Sequence, residues 1–463
     1  MLTCEFGSGR DCTGISRRDF VAAGVLGLGS LTLPQWLAAK EAGQDKGYFR
    51  DKTIVLLFLG GGASHIETFN PNMDAPAPYA SVTGEVKTTL AGVTFGGTFP
   101  QLANHAHKMA LVRSFQHTVG SHPQAIAHVL SGGTDPAGDG KRGFSMGSAY
   151  ARIRGANHPE SGLPTYAIVT SEEVDGQYLT ERGRIEKGSG PGSLGLACAP
   201  FDPTGGGALL KNLQLKIDGA RLDDRRSLLS QLDTVNRGID ARGQLDGLDR
   251  LSQQALDMIV QGAGRAFDVS KEDRRTIERY DTSEFRVGKK EFRPSSLGRQ
   301  MLLARRLCEA GCGFVTVQNS GWDMHADGNN PGIAAGMEML GRPLDKAVSA
   351  FLADLEQRGL SDKVLLIITG DFGRTPTINS RGGRDHYPKL CTLALAGGGL
   401  KMGQTIGQSL RNNSAPATEP ITTPQLLSTV LHALFDVGEL RLDSSVPREL
   451  ISLAEAKPIA ELF

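Results

Sequence analysis

The sequence predicts an α/β protein whose doubly wound, mostly parallel sheet is flanked by helices and carries a helical insertion. Several short runs of apolar and β-branched residues are nearly continuous, which is typical of strands buried on both faces of a parallel sheet. Between the last two runs, apolar side chains recur at helical spacing, as in Leu344, Val348, Phe351 and Leu355. A strand, a helix and a second strand in this order form the crossover unit of a parallel sheet.

Five buried strands are predicted along the chain. With the turns that follow some of them, they lie within residues 52–71, 109–115, 163–170, 313–325 and 363–374. Residues 171–298 differ, because they are rich in charge and keep apolar positions at helical spacing. We predict that this segment is a helical insertion or cap over one side of the sheet; a solvated linker is the less favoured alternative.

The composition limits the classes of function. A length of 463 residues suits one large α/β domain with insertions as well as two domains. The 50 basic and 50 acidic residues balance, and aromatic residues make up 6%, so nucleic acid is not a predicted partner. Cys308 and Cys312 have no companion pair at zinc-ribbon spacing, so the cysteines are predicted to be core thiols, with a disulfide as the alternative.

The first forty residues predict export from the cytoplasm. The stretch SRRDF (16–20) opens a short apolar run that ends at Leu33 and contains several glycines. This run is too short for a permanent membrane-spanning helix, and paired arginines before such a run are typical of a twin-arginine export signal. We expect residues 1–45 to be this signal and a linker, the twin-arginine translocation machinery to be a partner, and the protein to be periplasmic or otherwise extracytoplasmic. A frayed amphipathic N-terminus is the alternative.

Polar clusters follow the predicted strands, where ligands bind in open α/β sheets. In the first cluster, the glycines at 60–62 let the backbone approach an anion, while His65 and Glu67 supply polar groups. The spacing departs from the dinucleotide-binding pattern because residue 65 is a histidine. His65 is a candidate metal ligand, and a glycine turn with a surface histidine is the alternative.

The second cluster surrounds Ser121, at the junction of a loop and a predicted helix. Free backbone N–H groups and the helix dipole favour anions there and make a nucleophile more acidic, and Pro123 suits the first helical turn. Ser121 is therefore a candidate catalytic nucleophile, with His117, His122 and His128 near it in sequence. The alternative is that Ser121 only caps the helix.

The third cluster consists of Asp323, His325 and Asp327. These residues alternate after a strand, so their side chains share one face of an extended chain. Hard oxygen and imidazole ligands together suit zinc, manganese or calcium. We predict that Asp323 and His325 are metal ligands, and a turn capped by aspartate is the alternative.

The fourth cluster follows the strand that ends near Gly370. Asp371, Asp385 and His386 have the chemistry of metal ligands, and Arg374 is predicted to hold an anionic group in bidentate fashion. A structural ion pair between Arg374 and Asp385 is the alternative. Because all four clusters follow strands, the sequence predicts one site that holds a divalent metal ion.

Five stretches together resemble the bacterial family called domain of unknown function 1501. They are SRRDF, LLARRLCEAGCGFVTVQNSGWDMH, LEQRGLSDKVLLIITGDFGRTPTIN, GGRDHYP and LAGGGLKMGQTIG. The resemblance covers most of the chain, and members of this family are often exported by the twin-arginine route. It also implies the alkaline phosphatase and sulfatase superfamily, and so an alkaline phosphatase-like domain over residues 46–463 with a central mixed sheet and a bimetal or calcium site.

The match to the superfamily's functional residues is partial. Ser121 and Pro123 stand on the spacing of the sulfatase signature, whereas Ala125 stands where that signature has arginine. Asp371 resembles a superfamily metal ligand, and Phe372 replaces the second ligand of the same motif. Asp323, His325 and His386 resemble the other metal ligands of the superfamily in residue type and in their order along the chain.

The sequence therefore predicts an exported, metal-dependent hydrolase-like protein that acts on phosphate or sulfate esters. Its cofactor is expected to be a divalent metal ion, and its partner an anionic ester substrate or an anionic polymer. Ser121 and Arg374 are the predicted catalytic residues. The alternative is a catalytically degenerate superfamily member that binds an anionic polymer or an exported partner, and the departures at Ala125 and Phe372 favour it.

Overall fold

The computed structural model describes residues 47–135, 138–139, 141–170, 178–204, 264–288 and 290–463. The predicted signal and linker, residues 1–45, and the middle of the predicted insertion, residues 205–263, lie outside the described residues. Residues Tyr48–Phe463 form one compact unit. None of the described helices has the length and apolar character needed to cross a membrane.

The described strands form one large sheet and three two-stranded sheets. They are β1 (Thr53–Leu59), β2 (Glu85–Lys87), β3 (Thr94–Gly96), β4 (Met109–Val112), β5 (Tyr166–Val169), β6 (Arg286–Val287), β7 (Arg293–Pro294), β8 (Phe314–Asn319), β9 (Val364–Gly370), β10 (Gly373–Arg374), β11 (His386–Tyr387), β12 (Leu393–Gly397) and β13 (Gln404–Ile406). The large sheet has seven strands in the order β13-β4-β12-β9-β1-β8-β5. The small sheets pair β2 with β3, β6 with β7, and β10 with β11.

The large sheet is mostly parallel, as predicted. Strands β5, β8, β1 and β9 pair in parallel, and so do β4 and β13, whereas β12 runs antiparallel to both β9 and β4. The five predicted strands are present as β1, β4, β5, β8 and β9. Strands β12 and β13 were not predicted, because LALAG contains no β-branched residue and QTI is only three residues long.

Strand β1 shows why the predicted strands are apolar throughout. Side chains at odd positions, such as Val55 and Leu57, face an apolar cluster on one side of the sheet. Those at even positions, such as Ile54 and Leu56, face a second cluster on the other side. Full burial of such a side chain contributes roughly 1.5–3 kcal/mol, so both faces stabilise the sheet.

Helices cover both faces of the sheet. The described α-helices are α1 (His122–Leu130), α2 (Met146–Arg154), α3 (Leu179–Gly188), α4 (Gly264–Phe267), α5 (Arg274–Tyr280), α6 (Leu297–Glu309), α7 (Ile333–Gly336), α8 (Arg342–Gln357), α9 (Thr423–Leu434), α10 (Val437–Leu440) and α11 (Arg448–Ala454). A π-helical turn, Met337–Gly341, joins α7 to α8. Short 3₁₀ helices lie at Ala77–Tyr79, Leu102–Lys108, Gly192–Leu194, Leu196–Cys198, Val269–Lys271 and Ala460–Leu462.

The two helical layers divide cleanly between the faces. Helices α6 and α8 pack on the face that Val55 and Leu57 line, and α1, α2 and α9 pack on the opposite face. The predicted crossover helix is confirmed as α8, because its apolar residues are buried against the sheet. In the predicted insertion the structure describes α3, α4, α5 and the β6–β7 hairpin, and the cap over the sheet stays a prediction.

The described cysteines are Cys198, Cys308, Cys312 and Cys391, and all four are buried. No disulfide links them. Burial raises the pKa of the Cys308 thiol to about 12, which makes it unreactive at neutral pH. These four residues are therefore core thiols, as predicted.

A buried carboxylate, Asp345, joins α8 to the 3₁₀ helix Leu102–Lys108. It accepts hydrogen bonds from the backbone N–H of Leu102 at 2.6 Å and that of Gln101 at 3.1 Å. It thereby satisfies donors that the start of a helix leaves open. Burial raises the pKa of Asp345 from 3.8 to about 6, although these hydrogen bonds oppose the rise.

The Asp345→Asn variant should lose part of the pH dependence of stability. Because the pKa of Asp345 is higher in the folded protein than in the unfolded chain, its contribution is present below 3.8 and is lost as the pH rises through about 6. Relative to the variant, the wild-type free energy of unfolding should fall by about 1–3 kcal/mol over this range. Urea unfolding at several pH values measures this difference, and identical pH profiles for the two proteins would contradict the prediction.

Candidate metal centre

Three loops meet at one edge of the sheet. Strand β1 is in register with both of its neighbours, so that Leu59 pairs with Asn319 of β8 and with Gly370 of β9. Because the three strands are parallel, the loops that follow them start side by side at their carboxyl ends. The β4–α1 loop reaches the same edge, since β4 runs in the same direction as β9.

The glycine turn after β1 allows a close backbone approach at this edge. Gly61 and Gly62 have φ values of 101° and 85°, which side chains other than glycine rarely adopt. A Cβ atom on Gly61 would lie 2.5 Å from the backbone nitrogen of Asp323. The anion that this turn approaches is a carboxylate of the protein itself, because the N–H of Gly61 donates to Oδ1 of Asp371 at 3.0 Å.

Four side chains converge above the turn, and we call them the histidine centre: His122, Asp323, His325 and His386. Oδ1 of Asp323 lies 3.0 Å from Nε2 of His325 and 3.4 Å from Nε2 of His386. Oδ2 of Asp323 lies 3.3 Å from Nε2 of His122. Ligand atoms of His122, Asp323 and His386 all lie within 4.8 Å of one another. Three imidazole nitrogens and one carboxylate therefore face one small volume.

Each imidazole of the histidine centre has an outer partner that orients its ring. The Nδ1 atoms pair with oxygen atoms as follows: His122 with Asp371 at 2.6 Å, His325 with Asp385 at 3.0 Å, and His386 with the carbonyl of Gly120 at 3.0 Å. An Nδ1–H that donates outward leaves the lone pair of Nε2 directed inward. Metal-binding histidines in proteins have this arrangement.

The inward nitrogen atoms fit a bound cation. Nε2 of His325 and Nε2 of His386 are 2.9 Å apart, which places two acceptor atoms against each other. Nε2 of His122 is buried, and its contact with Oδ2 of Asp323, at 3.3 Å, lacks the geometry of a full hydrogen bond. A buried polar atom without a partner costs about 1–3 kcal/mol, and one divalent cation would satisfy these nitrogens together with the Asp323 carboxylate.

The carboxylates determine which imidazole carries a proton. Burial by itself would lower the pKa of His122, but its hydrogen bonds to Asp323 and Asp371 raise that pKa to about 9. The hydrogen bond to Asp323 raises the pKa of His325, whereas burial lowers the pKa of His386. Burial opposes ionisation of Asp323, yet hydrogen bonds from the three histidines hold its pKa well below the usual range. At neutral pH, a metal ion that binds Nε2 of His122 would therefore have to displace a proton from this imidazole.

Arg374, predicted to hold a substrate anion, is fully buried and directed into the protein. Its guanidinium donates to the carbonyl oxygens of Gly61 and Gly62 and to Oδ1 of Asp323 at 2.6 Å. Since these partners occupy the buried side chain, the prediction of an anion-binding group is corrected: Arg374 positions Asp323 and the glycine turn. The predicted alternative, an ion pair with Asp385, is replaced by the pair with Asp323.

Asp371 and Asp385 were predicted to be metal ligands. In the structure they contact the outer Nδ1 atoms of His122 and His325. Asp371 is fully buried, and its two oxygen atoms are engaged by Gly61 and His122. Asp385 is more exposed and pairs with Nδ1 of His325. The structure therefore places both carboxylates as outer partners of the centre, behind His122 and His325.

His65, also predicted to be a metal ligand, lines a different cavity. The side chain is 5% exposed, and the cavity is shared with Arg113 and Cys391. Burial, and then the positive charge of Arg384, lower the pKa of His65 to about 3. His65 is therefore a neutral, buried histidine that lies in a cavity separate from the histidine centre.

Ser121 stands at the N-terminus of α1, between two residues that contribute to the centre. Its neighbours are Gly120, which accepts the hydrogen bond of His386, and His122. The hydroxyl is exposed, donates to Oε1 of Gln124 at 2.6 Å, and makes no capping bond to the helix backbone. Ser121 is thus open to solvent beside the centre, and it occupies the N-cap position of α1 without a capping bond from its side chain.

Two residues were not predicted to be part of the site: His122, which belongs to the histidine centre, and Glu181, which lies beside it. The ring of His122 is directed by Asp371, which lies 249 residues away in sequence. Glu181 of α3 accepts a hydrogen bond from the N–H of Gly321 at 2.9 Å, and burial, reinforced by the charge of Asp371, raises its pKa to about 8. Glu181 carries no local signal, because α3 lies in a charged segment where exposed glutamates are common.

Solved structures similar to this chain include three bacterial proteins. The lipoteichoic acid synthase LtaP from Listeria monocytogenes has 11% identity and a TM-score of 0.37 over 86% of this chain and 82% of that chain. The phosphonate monoester hydrolase from Silicibacter pomeroyi has 10% identity and a TM-score of 0.39 over 83% and 73%. The alkaline phosphatase from the Antarctic bacterium TAB5 has 10% identity and a TM-score of 0.34 over 88% and 98%.

A match to a family model shows which family this chain belongs to, but it does not show an activity. With TM-scores below 0.5, the three solved structures carry no conclusion about substrate or mechanism. Comparison with curated proteins finds no match. The family described as "Protein of unknown function (DUF1501)" matches residues 51–440, which is most of the sequence. This chain therefore belongs to the DUF1501 family.

Proposed function

We propose that this protein is a metal-dependent hydrolase of phosphate or sulfate esters. The observation that supports this function best is the convergence of three Nε2 atoms and the Asp323 carboxylate, with an outer partner behind each imidazole. Histidines that bind metal ions usually have such an outer partner on the other ring nitrogen. When bound, a divalent ion supplies positive charge that neutralises ester oxygens and makes an oxygen nucleophile more acidic.

The donor set favours zinc or manganese over calcium. Calcium prefers six to eight oxygen ligands, whereas imidazole nitrogen suits zinc and other transition metals. His122, His325 and His386 supply nitrogen, and Asp323 supplies oxygen. We therefore assign these four residues as the ligands.

The remaining side chains hold this arrangement and supply the nucleophile. Asp371 keeps the Nδ1 proton on His122, and Arg374 holds Oδ1 of Asp323 at 2.6 Å. We assign Ser121 as the nucleophile, because its exposed hydroxyl lies at the N-terminus of α1, where the helix dipole stabilises negative charge. An anionic ester is the substrate class that a cationic centre beside such a helix end would attract.

We also propose that the protein is exported by the twin-arginine route. The support is the pair Arg17 and Arg18 directly before a short apolar run. In the native host, the Arg17→Lys/Arg18→Lys variant should remain in the cytoplasmic fraction, whereas the matched control Arg10→Lys should be exported like wild type. Immunoblots of cell fractions measure this, and equal export of both variants would exclude the route.

The Asp371→Asn variant should weaken metal binding roughly 10–100-fold, as expected for loss of an outer-partner carboxylate. The asparagine can keep the bond from Gly61, but its amide N–H would face Nδ1 of His122. That contact favours the tautomer with the proton on Nε2, which cannot bind a metal. Calorimetric titration with zinc and with manganese measures the affinity.

Two further measurements make the Asp371→Asn result decisive. Circular dichroism should show an unchanged fold, and His107→Ala, an exposed histidine outside the centre, should bind zinc like wild type. Wild-type affinity in the Asp371→Asn variant would show that the Asp371–His122 contact does not support a metal site.

Metal-loaded protein should hydrolyse an aryl phosphate or an aryl sulfate. Replacing Ser121 with alanine removes the nucleophile and should lower kcat more than about 100-fold without loss of metal. His386→Ala should lose both metal and activity, whereas Ser452→Ala, an exposed serine on α11, should behave like wild type. Release of the coloured phenol measures the rate.

The outcomes separate two functions. Metal-loaded wild type that turns over neither ester would contradict the hydrolase and leave a metal-dependent binding protein. Full activity in Ser121→Ala would instead assign the nucleophile to water.

A further inference from the structure

A polar groove of about 570 Å³ lies between the loop of residues 70–74 and the β2–β3 hairpin. This volume is in the range of small-molecule sites, which are usually about 300–1,000 Å³. Unlike most such sites, the groove is lined mainly by polar side chains, which include two amides and four charged groups. Those used below are Asn70, Asn72, Asp74, Glu85, Lys87 and Arg113.

One wall of the groove is held in place by asparagine amides. The Nδ2 atom of Asn70 donates to Oγ of Ser409 at 2.8 Å, and that of Asn72 donates to the carbonyl of Arg411 at 2.8 Å. Both also donate to Oδ1 of Asn413, at 3.2 Å and 3.3 Å. Because the amide nitrogens are used internally, the Oδ1 atoms of Asn70 and Asn72 are the acceptors that this wall offers to a ligand.

The backbone of this wall also indicates a preformed site. Asn72 and Asn413 have φ values of 47° and 54°, in the left-handed region that residues other than glycine seldom occupy. Such conformations persist where surrounding contacts impose them, and they cluster at ligand sites. Here one such contact is the hydrogen bond that Nδ2 of Asn72 donates to Oδ1 of Asn413.

The opposite wall and the rim carry charges of both signs. Glu85 and Lys87 alternate on β2, so both side chains are on the same exposed face of the strand. Asp74 is exposed on the facing loop. Within the part of the chain that the structure describes, none of these three charged groups has an ion-pair partner. Glu85 and Lys87 on the hairpin and Asp74 on the facing loop therefore present two acceptor groups and one cationic donor to a ligand.

Arg113 forms the floor of the groove. Its guanidinium donates to the carbonyl of Phe69 at 3.1 Å, and its Nε atom is buried without a hydrogen-bond partner. A buried guanidinium that lacks one partner favours a nearby anion or acceptor. The floor thus supplies a second cationic donor close to Lys87.

The groove and the histidine centre are at the same edge of the sheet. Arg113 directly follows β4, and four residues later His117 contacts the carbonyl of Asp371 through Nε2 at 2.6 Å. Four residues of extended chain span at most about 14 Å. The floor of the groove is therefore at most about 14 Å along the backbone from His117, which contacts Asp371 behind the centre.

We propose that this groove binds a hydroxylated, anionic glycan segment adjoining the ester on which the centre acts. Amide and carboxylate acceptors together with two cationic donors match several hydroxyl groups and one negative group. The groove contains no aromatic side chain, so it offers no surface for stacking a nucleobase. The proposal rests on the proposed function and adds its substrate class.

Calorimetric titration with four probes tests the substrate class. The probes are short dextran, dextran sulfate and carboxymethyl dextran of equal length, and inorganic sulfate. Both charged dextrans should bind at least about 10-fold more tightly than neutral dextran, and inorganic sulfate should not compete. The affinity for dextran sulfate, compared with that for carboxymethyl dextran, shows whether the cationic donors prefer sulfate or carboxylate. Equal affinity for single-stranded DNA of the same charge would overturn the proposal, because only charge would then be recognised.

A matched pair of double variants locates the site. Glu85→Ala/Lys87→Ala should weaken dextran sulfate binding at least about 10-fold. Arg448→Ala/Glu449→Ala, which removes the same exposed charges on α11, should leave it unchanged. Unchanged affinity in the first variant would overturn the proposal.

Aryl ester hydrolysis distinguishes failure of this proposal from failure of the hydrolase. Both double variants should retain the wild-type rate, because their residues are outside the histidine centre. Absence of turnover in every protein, with glycan binding that still depends on Glu85 and Lys87, would refute the hydrolase alone. Normal turnover without glycan binding would refute the groove alone.

Discussion

Strands β8, β1 and β9 pair in parallel and in register, and the position of every residue in the histidine centre depends on this pairing. Asn319, Leu59 and Gly370 end side by side, so the loops that carry Asp323, the glycine turn and Asp371 begin within about 10 Å of one another. A shift of one residue in any strand would turn its side chains to the other face of the sheet. Because both faces of β1 are apolar, the cost of such a shift is the loss of close packing in both apolar clusters.

Asp323 is the common acceptor of the centre, and its surroundings balance its charge. Arg374 contacts it from inside the protein, while three imidazoles contact it from the loops. The outer partners Asp371 and Asp385 lie behind two of these imidazoles, so negative charge exceeds what Arg374 neutralises. A divalent cation would offset this charge, and the proton on His122 offsets it in part.

The fold was largely predictable, and the roles of individual site residues were not. Continuous apolar runs and helical spacing identified β1, β9 and α8, because burial on two faces is visible in a local window of sequence. The short strand β12 has the weaker pattern LALAG, and its antiparallel direction depends on pairing with β9 and β4. For Arg374, the chemistry of the side chain predicted an anion-binding group. In the structure, Gly61 and Gly62 have positive φ values, and their carbonyl oxygens accept hydrogen bonds from the buried guanidinium.

The sequence by itself determined the α/β class, the order of the strands along the chain and the presence of acid and imidazole groups after them. These properties are local, because periodicity and composition are set by neighbours in the chain. Only the tertiary structure decided that His122 points inward while Ser121 faces solvent, and that Asp371 stands behind an imidazole. Those choices come from contacts between residues 249 positions apart, such as His122 and Asp371, and no window of sequence contains both partners.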